Sequence, residues 1–451
     1  MSASTGFSEG FLWGAATSAY QIEGSPLADG AGPSVWHRFS HTPGLVSGSE
    51  TGDVSCDHYR LWREDVALMR ELGLGAYRFS VSWSRVLPDG RGAVNEKGLD
   101  FYRRLVDALA EAGITPLATL FHWDLPAALD DRGGWLNRDV AAWFADYTRI
   151  VVRALDDRVP LWATLNEPWV VADGGYLHGL LAPGHRNLFE APIAANNLLR
   201  AHTAGITAYR SEGKNRIGLV VNLEPKHRAS ESAEDVAAAR RADAYVNRFF
   251  LDPVFLGRYP DEMRGLFGEA WPDAADRDAP GLKSPGDFLG VNYYSRNVVR
   301  RADDVLPFRF ARVRQEGAPH TAMDWEIWPD GLRETLAAVT ERYGRFPLYV
   351  TENGAAFDEP ASAGAGDLAD PLRAAYLRDH LRAARTAIRE GVDLRGYFAW
   401  SLLDNFEWSH GTSKRFGLVH VDFATQKRTP KASARFLSDV ARTNGASLGP
   451  D

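Results

Sequence analysis

The sequence predicts an α/β fold: a single (β/α)8 barrel with extended βα loops, forming one catalytic domain over residues 1–451. Three observations carry this prediction. A short apolar strand pattern followed by an amphipathic helix recurs along the chain, and the full count of eight is that of a closed barrel. Two of the strand patterns, Pro347-Leu348-Tyr349-Val350-Thr351-Glu352-Asn353-Gly354 and Leu161-Trp162-Ala163-Thr164-Leu165-Asn166-Glu167-Pro168, run from apolar residues straight into a glutamate. Runs of that kind suit parallel strands covered on both faces, and α/β barrels gather catalytic groups at the strands' carboxyl ends. No G-x-G-x-x-G turn follows a strand, which removes the usual mark of an open, dinucleotide-binding sheet.

Phe11 to Ala16 is the first strand, and a long irregular segment through Pro33, Pro43 and Gly52 follows it. His58 to Leu72 is predicted helical, with Leu61, Asp65, Leu68 and Leu72 near helical spacing and Gly73 and Gly75 as its stop. The second unit is Ala76 to Trp83 with the helix Leu99 to Ala112, closed by Gly113. The third is Ile114 to Phe121 with Val140 to Leu155, and the fourth is Trp162 to Leu165 with Ala191 to Tyr209. Ile217 to Leu223 and Ala233 to Phe250 make the fifth, Phe288 to Tyr293 and Gly331 to Tyr343 the sixth. Leu348 to Val350 and Leu372 to Arg389 make the seventh, Gly396 to Trp400 and about Ala432 to Ala441 the eighth. Gly354 reads as a tight exit from the seventh strand. Residues 295–323 and the Ala-, Gly-, Ser- and Pro-rich stretch 359–370 read as βα loops, the second as a mobile surface loop. No linker, internal repeat or low-complexity tract divides the chain.

Hydrophobic residues make up 45% and charged residues 24% of the sequence, ordinary values for a globular protein. A formal charge of −8 argues against a nucleic-acid surface or a polybasic membrane anchor. No run of about 18 apolar residues is long enough to span a bilayer. One cysteine, Cys56, rules out an intrachain disulfide and reads as a buried structural thiol. Met1 to Glu9 lacks a basic start and an apolar core, so no secretory signal is read there and a cytoplasmic location is expected. The 14 Trp and 15 Tyr fit both a large core and flat platforms for pyranose rings.

Two carboxyl groups at strand ends suit glycoside hydrolysis, in which one protonates the leaving oxygen and the other stays ionised. Their surroundings must separate their pKa values. Glu167 lies amid Trp162, Asn166, Pro168 and Trp169, apolar company that favours the protonated acid. Glu352 needs a cation to remain ionised. Arg78, inside the apolar stretch Tyr77-Arg78-Phe79-Ser80-Val81-Ser82-Trp83, is the candidate, because a buried arginine needs an anionic partner. His122 and Asp124 have no third ligand at useful spacing, so no metal is expected; nor is an organic cofactor.

Thr164-Leu165-Asn166-Glu167-Pro168 and Val350-Thr351-Glu352-Asn353-Gly354 resemble the two active-site signatures of family-one glycoside hydrolases, the β-glucosidase family. The stretch Phe11-Leu12-Trp13-Gly14-Ala15-Ala16-Thr17-Ser18-Ala19-Tyr20-Gln21-Ile22-Glu23-Gly24 resembles that family's N-terminal signature. Phe121-His122-Trp123-Asp124-Leu125-Pro126 and Trp400-Ser401-Leu402-Leu403-Asp404-Asn405-Phe406-Glu407-Trp408 also match, in family order, over about Phe11 to Pro430. The resemblance implies a retaining, exo-acting β-glucosidase with Glu352 as nucleophile and Glu167 as general acid/base, their carboxyls about 5–5.5 Å apart. It implies that Gln21, His122, Asn166, Trp400, Glu407 and Trp408 contact the nonreducing-end sugar. Asn292 and Tyr294 are implied near the nucleophile. Trp325 resembles the leaving-group platform, against the alternative of helix-cap packing. Substrates are expected among small β-glucosides and oligosaccharides, with galactosides and fucosides also open.

Two other readings stand beside this one. A 6-phospho-β-glycosidase would use Lys414 or Arg415 for phosphate, although an anionic Glu407 in Asn405-Phe406-Glu407-Trp408 would repel it. A catalytically silent carbohydrate-binding barrel would have lost a glutamate, and both are present. Arg248-Phe249 stands where the family often has Trp before the Phe, so the rim near strand five is expected to differ.

Overall fold

The first strand, β1 (Leu12–Ala16), pairs in parallel with both β2 (Ala76–Ser80) and β8 (Leu394–Trp400), and that double pairing closes the sheet. Between them run β3 (Thr115–Phe121), β4 (Leu161–Asn166), β5 (Arg216–Asn222), β6 (Phe288–Asn292) and β7 (Leu348–Asn353), neighbours in chain order around a closed barrel. This computed structural model describes residues 6–359 and 368–449. Most of the loop expected over 359–370 therefore lies outside the described residues. Every residue of β2, β4, β6 and β7 is buried. Covering both faces explains why these strands read as unbroken apolar runs rather than as alternating ones.

The outer ring is made by α1 (His58–Glu71), α2 (Glu96–Glu111), α3 (Val140–Leu155), α4 (Glu190–Glu212), α5 (Ala233–Asp243), α6 (Asp330–Tyr343), α7 (Pro371–Arg389) and α8 (Ala432–Arg442). In α2, Leu99, Tyr102, Leu105, Val106 and Leu109 form the buried stripe that a 3.6-residue period requires. In α1 the stripe differs from the predicted one. Trp62, Asp65, Val66 and Met69 are buried, whereas Leu61 and Leu68 are only half-buried. Asp65 can face the core because His58 Nδ1 stands 2.7 Å from its Oδ2 and Arg428 Nε 2.9 Å from its Oδ1.

The helix predicted over Ala233 to Phe250 ends at Asp243. A π-type turn, Ala244–Arg248, separates it from a second helix, Phe249–Leu256. Such a turn sets an extra residue into the helical ladder. Here it presents Tyr245 to Asp173 (2.6 Å) and Arg248 to Asp243 (2.6 Å) and Glu262 (3.1 Å). The long loop after β6 is not irregular throughout: Asn297–Arg301 and Phe310–Arg312 join Lys226–Arg228 in a three-stranded sheet beside the barrel mouth. Gly354 is needed for close approach, since a Cβ there would lie 1.7 Å from the Trp400 carbonyl oxygen. Among the described residues no helix is long and apolar enough to cross a membrane. Cys56 is fully buried, and burial pushes its thiol pKa upward.

Candidate active site

The carboxyl ends of β2, β3, β4, β6, β7 and β8 bring the predicted residues to one mouth of the barrel. Arg78 is in β2, His122 follows β3, and Asn166 ends β4 with Glu167 next. Asn292 ends β6 with Tyr294 two residues on, Glu352 is in β7, and Trp400 ends β8. Glu167 has φ 45° and ψ 60°, left-handed values that let the chain turn from β4 into the helical start at Pro168. Trp123 (φ 77°) and Trp408 (φ 50°), which face each other at 4.6 Å between ring centroids, are also left-handed. Such conformations cost about 1–3 kcal/mol each and persist where surrounding structure enforces them.

One hydrogen-bond network joins the two glutamates. Arg78 is fully buried; its Nη1 donates to Glu352 Oε1 (2.5 Å) and its Nη2 to Asn166 Oδ1 (2.6 Å). Asn292 Nδ2 donates to the same Asn166 oxygen (3.0 Å) and to Glu167 Oε1 (2.8 Å). The second Glu352 oxygen accepts from the Tyr294 hydroxyl (2.6 Å). Glu352 and Asn292 are paired across β7 and β6, so strand register sets this spacing.

The environments of the two acids differ. Burial, then the neighbouring Glu352 charge, push Glu167 up to about 8, with the Asn292 hydrogen bond and the Arg78 charge opposing. Burial also raises Glu352, but the Arg78 charge and hydrogen bonds from Tyr294, Arg78 and Asn292 oppose it. The guanidinium contacts Glu352 and not Glu167, so the two carboxyls sit in unequal surroundings.

Asn166 has little spare hydrogen-bonding capacity. Its oxygen accepts from two donors, so its Nδ2 is the donor to His122 Nε2 at 3.0 Å. His122 Nε2 is then an acceptor and Nδ1 carries the proton, and Nδ1 is buried with no partner. Burial, then Arg78, hold this imidazole well below the usual histidine range, so it is neutral. The ring lies 5.9 Å from Trp400 and 6.1 Å from Trp408, at interplanar angles of 18° and 21°. Gln21 Nε2 donates to Phe406 O (3.0 Å), Asn405 Oδ1 (3.2 Å) and Glu407 Oε2 (3.3 Å).

Burial, then the Glu352 charge, raise the Glu407 carboxyl to about 8, above the usual carboxylate range, with the Gln21 hydrogen bond opposing. The phosphate reading is narrowed to one cation. Arg415 is ion-paired with the buried Asp404 (2.9 Å), which leaves Lys414, bonded to the Ala322 carbonyl (2.7 Å), as the one cation of the two without an acidic partner among the described residues.

A cleft of about 480 Å³ contains Glu167, Asn292, Tyr294, Trp325, Glu407 and Trp408. Three larger cavities, of about 680, 890 and 1190 Å³, contain neither Glu167 nor Glu352; of the two glutamates only Glu167 lines the 480 Å³ cleft itself, Glu352 lying behind Tyr294. Trp325 lines the cleft 5.2 Å from the Tyr294 ring, which favours the platform reading over helix-cap packing. Sequence reasoning missed Trp123, Phe310, Arg312 and Met323 as lining residues. Trp123 stood inside a quoted motif, and its Nε1 donates to the Asn166 carbonyl (3.0 Å). Phe310 and Arg312 arrive on a three-residue strand too short to leave a periodic signal. Arg248, the departure at strand five, turns to Asp243 and Glu262 and does not line the cleft. Its neighbour Asn247 instead braces the cleft loop, bonding Glu224 N (3.1 Å) and Glu224 O (2.9 Å).

Comparison with known proteins agrees with this geometry. Residues 3–446 match the sequence profile of Glycosyl hydrolase family 1. "Beta-glucosidase A" of Thermotoga maritima is 50% identical, over 97% of this chain and 98% of its own. The "1,4-beta-D-glucan glucohydrolase" of Thermotoga neapolitana is 50% identical, over 97% and 99%. A solved Thermotoga maritima family 1 glycoside hydrolase, complexed with a cyclophellitol analogue transition state mimic, superposes with a TM-score of 0.95 at 50% identity, covering 98% of this chain and 99% of that one. A profile match across almost the whole sequence, on the barrel that places both signature glutamates at one mouth, means that the chain belongs to glycosyl hydrolase family 1.

Proposed function

We propose that this protein is a retaining, exo-acting β-glucosidase that releases glucose from the nonreducing end of small β-glucosides and oligosaccharides, with residues 1–451 acting as one catalytic domain. The observation that carries the reading is the unequal setting of two strand-end glutamates linked through Arg78, Asn166 and Asn292. Glu352, ionised beside Arg78, attacks the anomeric carbon. Glu167, protonated, gives its proton to the departing oxygen, so the C–O bond breaks as the Glu352 ester forms. The Glu167 carboxylate then takes a proton from water, whose oxygen displaces Glu352 and restores both groups. Two displacements at one carbon retain its configuration. The relatives named as a β-glucosidase and a glucan glucohydrolase support the sugar and the exo mode.

The sugar is held by groups with unspent hydrogen-bonding capacity. His122 offers its Nδ1–H and Glu407 its carboxyl, Gln21 reaches the sugar by exchanging one of its present acceptors, and Trp400 gives the ring a stacking floor. Asn166 reaches the 2-hydroxyl by exchanging one of its present partners. Trp408 completes the surroundings of the nonreducing-end sugar, and Trp325 flanks the cleft toward the leaving group.

A 2-fluoro glucoside tests the assignment directly. It is expected to esterify Glu352, identifiable by peptide mass mapping. In Glu167→Ala, azide is expected to restore turnover and yield a β-glycosyl azide. A label on another residue, or a product of inverted configuration, overturns the mechanism. A panel of aryl glucosides, galactosides and fucosides ranks the sugars.

A further inference from the structure

The segment between β1 and α1 carries a cluster that the proposed hydrolysis does not use. The short helix Val35–Ser40 places His37 and, at its C-cap, His41 four residues apart, so their imidazoles lie on one side with ring centroids 4.3 Å apart. The turn that holds Asp53 crosses in front of them. His41 Nε2 is 3.0 Å from Asp53 Oδ2, and His37 Nε2 is 4.0 Å from Asp53 Oδ1. One ligand atom from each of the three residues can be chosen so that all lie within 4.8 Å of one another.

Two details set this cluster apart from an ordinary surface ion pair. First, His41 Nδ1 is 2.7 Å from the His37 carbonyl oxygen. A carbonyl only accepts, so Nδ1 carries the hydrogen and Nε2 of the neutral ring directs a lone pair at the Asp53 carboxylate. Two acceptors at 3.0 Å need a cation between them, either a second proton on the ring or a metal ion. A histidine whose second nitrogen donates to a backbone carbonyl is also the arrangement that orients metal ligands. Second, Asp53 Oδ1 is buried and has no hydrogen-bond partner, although it faces His37. The adjacent cation does not fill the gap, because Arg38 is spent on Asp131 at 2.6 and 2.7 Å.

We propose that His37, His41 and Asp53 form a binding site for a divalent transition metal ion, zinc being the best match, which ties the Val35–Ser40 helix to the Asp53 turn. Two imidazoles and a carboxylate are a common zinc donor set, and zinc–ligand bonds of about 2.0–2.2 Å bring ligand atoms to within about 3.3 Å of each other. The present spread of up to 4.8 Å closes to that value by side-chain rotation, with water in the fourth position. Trp36, on the same helix, packs 4.4 Å from Trp408 in the cleft, so the ion braces a wall of the proposed sugar site from behind. It takes no part in the chemistry there.

The test uses the full-length, tag-free protein after dialysis against a chelator. Calorimetric titration with zinc chloride is expected to give one equivalent bound, and zinc should raise Tm. Cobalt(II) in its place should produce visible d–d absorption. His37→Ala and Asp53→Asn, both remote from the glutamates, should keep the native near-ultraviolet circular dichroism and hydrolyse aryl glucosides. Each should bind zinc about 100-fold or more weakly and lose the zinc-dependent rise in Tm. Absence of stoichiometric binding by the wild type overturns the proposal, as does equal affinity in both variants. Because hydrolysis is read separately, failure here leaves the glutamate mechanism untouched.

Discussion

In the proposed mechanism Arg78 decides which of the two acids carries the charge. Its guanidinium contacts Glu352 and Asn166, while Glu167 has only the Asn292 amide. In Arg78→Met, burial of Glu352 would go unopposed by that charge, and its pKa would climb. Glu352 acts as an anion, so activity is present above its pKa and lost below it. The acidic limb of kcat/KM is therefore expected to move to higher pH, with a fall of roughly 100- to 1000-fold at the optimum. The basic limb follows Glu167, which must be protonated, so activity should decline as pH rises through about 8. A pH–rate profile checks both limbs, and an unmoved acidic limb in Arg78→Met would remove Arg78 from this role. Both glutamates were legible in the sequence because each ends an apolar strand abruptly. The His122 tautomer was not, because it depends on how a distant amide, Asn166, divides its hydrogen bonds.

Among the elements, the barrel strands were readable because complete burial leaves a continuous apolar run, and boundaries agreed to within a few residues. The break after α5 was not, since a π-type turn keeps helical composition and answers to partners outside the helix, Asp173 and Glu262. The small sheet beside the mouth escaped because its strands are only three to five residues long. Gly354 shows how a correct signal can carry the wrong reason. The glycine was visible, but its cause is the Trp400 carbonyl of β8, which no local pattern reveals. In Gly354→Ala, the new Cβ must push β7 and β8 apart where Glu352 and Trp400 sit. Overpacking of this kind costs about 1–3 kcal/mol. The expected result is a lower Tm together with a lower kcat/KM for aryl glucosides. A variant with native values of both would show that the strand ends yield freely.

At the scale of the whole molecule, the barrel's last turn is fastened by charges buried beneath the loop that carries Glu407. Asp404, in the loop after β8, accepts from Lys431 (2.8 Å) and Arg415 (2.9 Å) and is fully buried. Lys431 also pairs with Glu359, which pairs with Arg373 of α7, and Asp370 bonds Arg373 (2.6 Å) and the Ser433 amide of α8 (2.7 Å). The loops after β7 and β8 and the helices α7 and α8 thus meet on one network, three residues from Glu407. Burial alone would raise the Asp404 pKa, but the charges of Lys431, Arg373 and Arg415 outweigh it and the pKa is lowered. A depressed carboxyl contributes stability that is present above its unfolded value of about 3.9 and lost as pH falls through the folded one. In Asp404→Asn the buried cations keep their desolvation cost and lose their counter-charge, which typically costs about 3–5 kcal/mol. Urea unfolding should show that deficit unchanged between pH 5 and 7, narrowing only below about pH 4 as the wild type itself becomes protonated. Because the same loop leads to Glu407, KM for aryl glucosides should rise in the variant while the pH limbs set by Glu167 and Glu352 stay in place. Equal urea midpoints at pH 7 would mean that the network contributes nothing to holding the barrel's final turn.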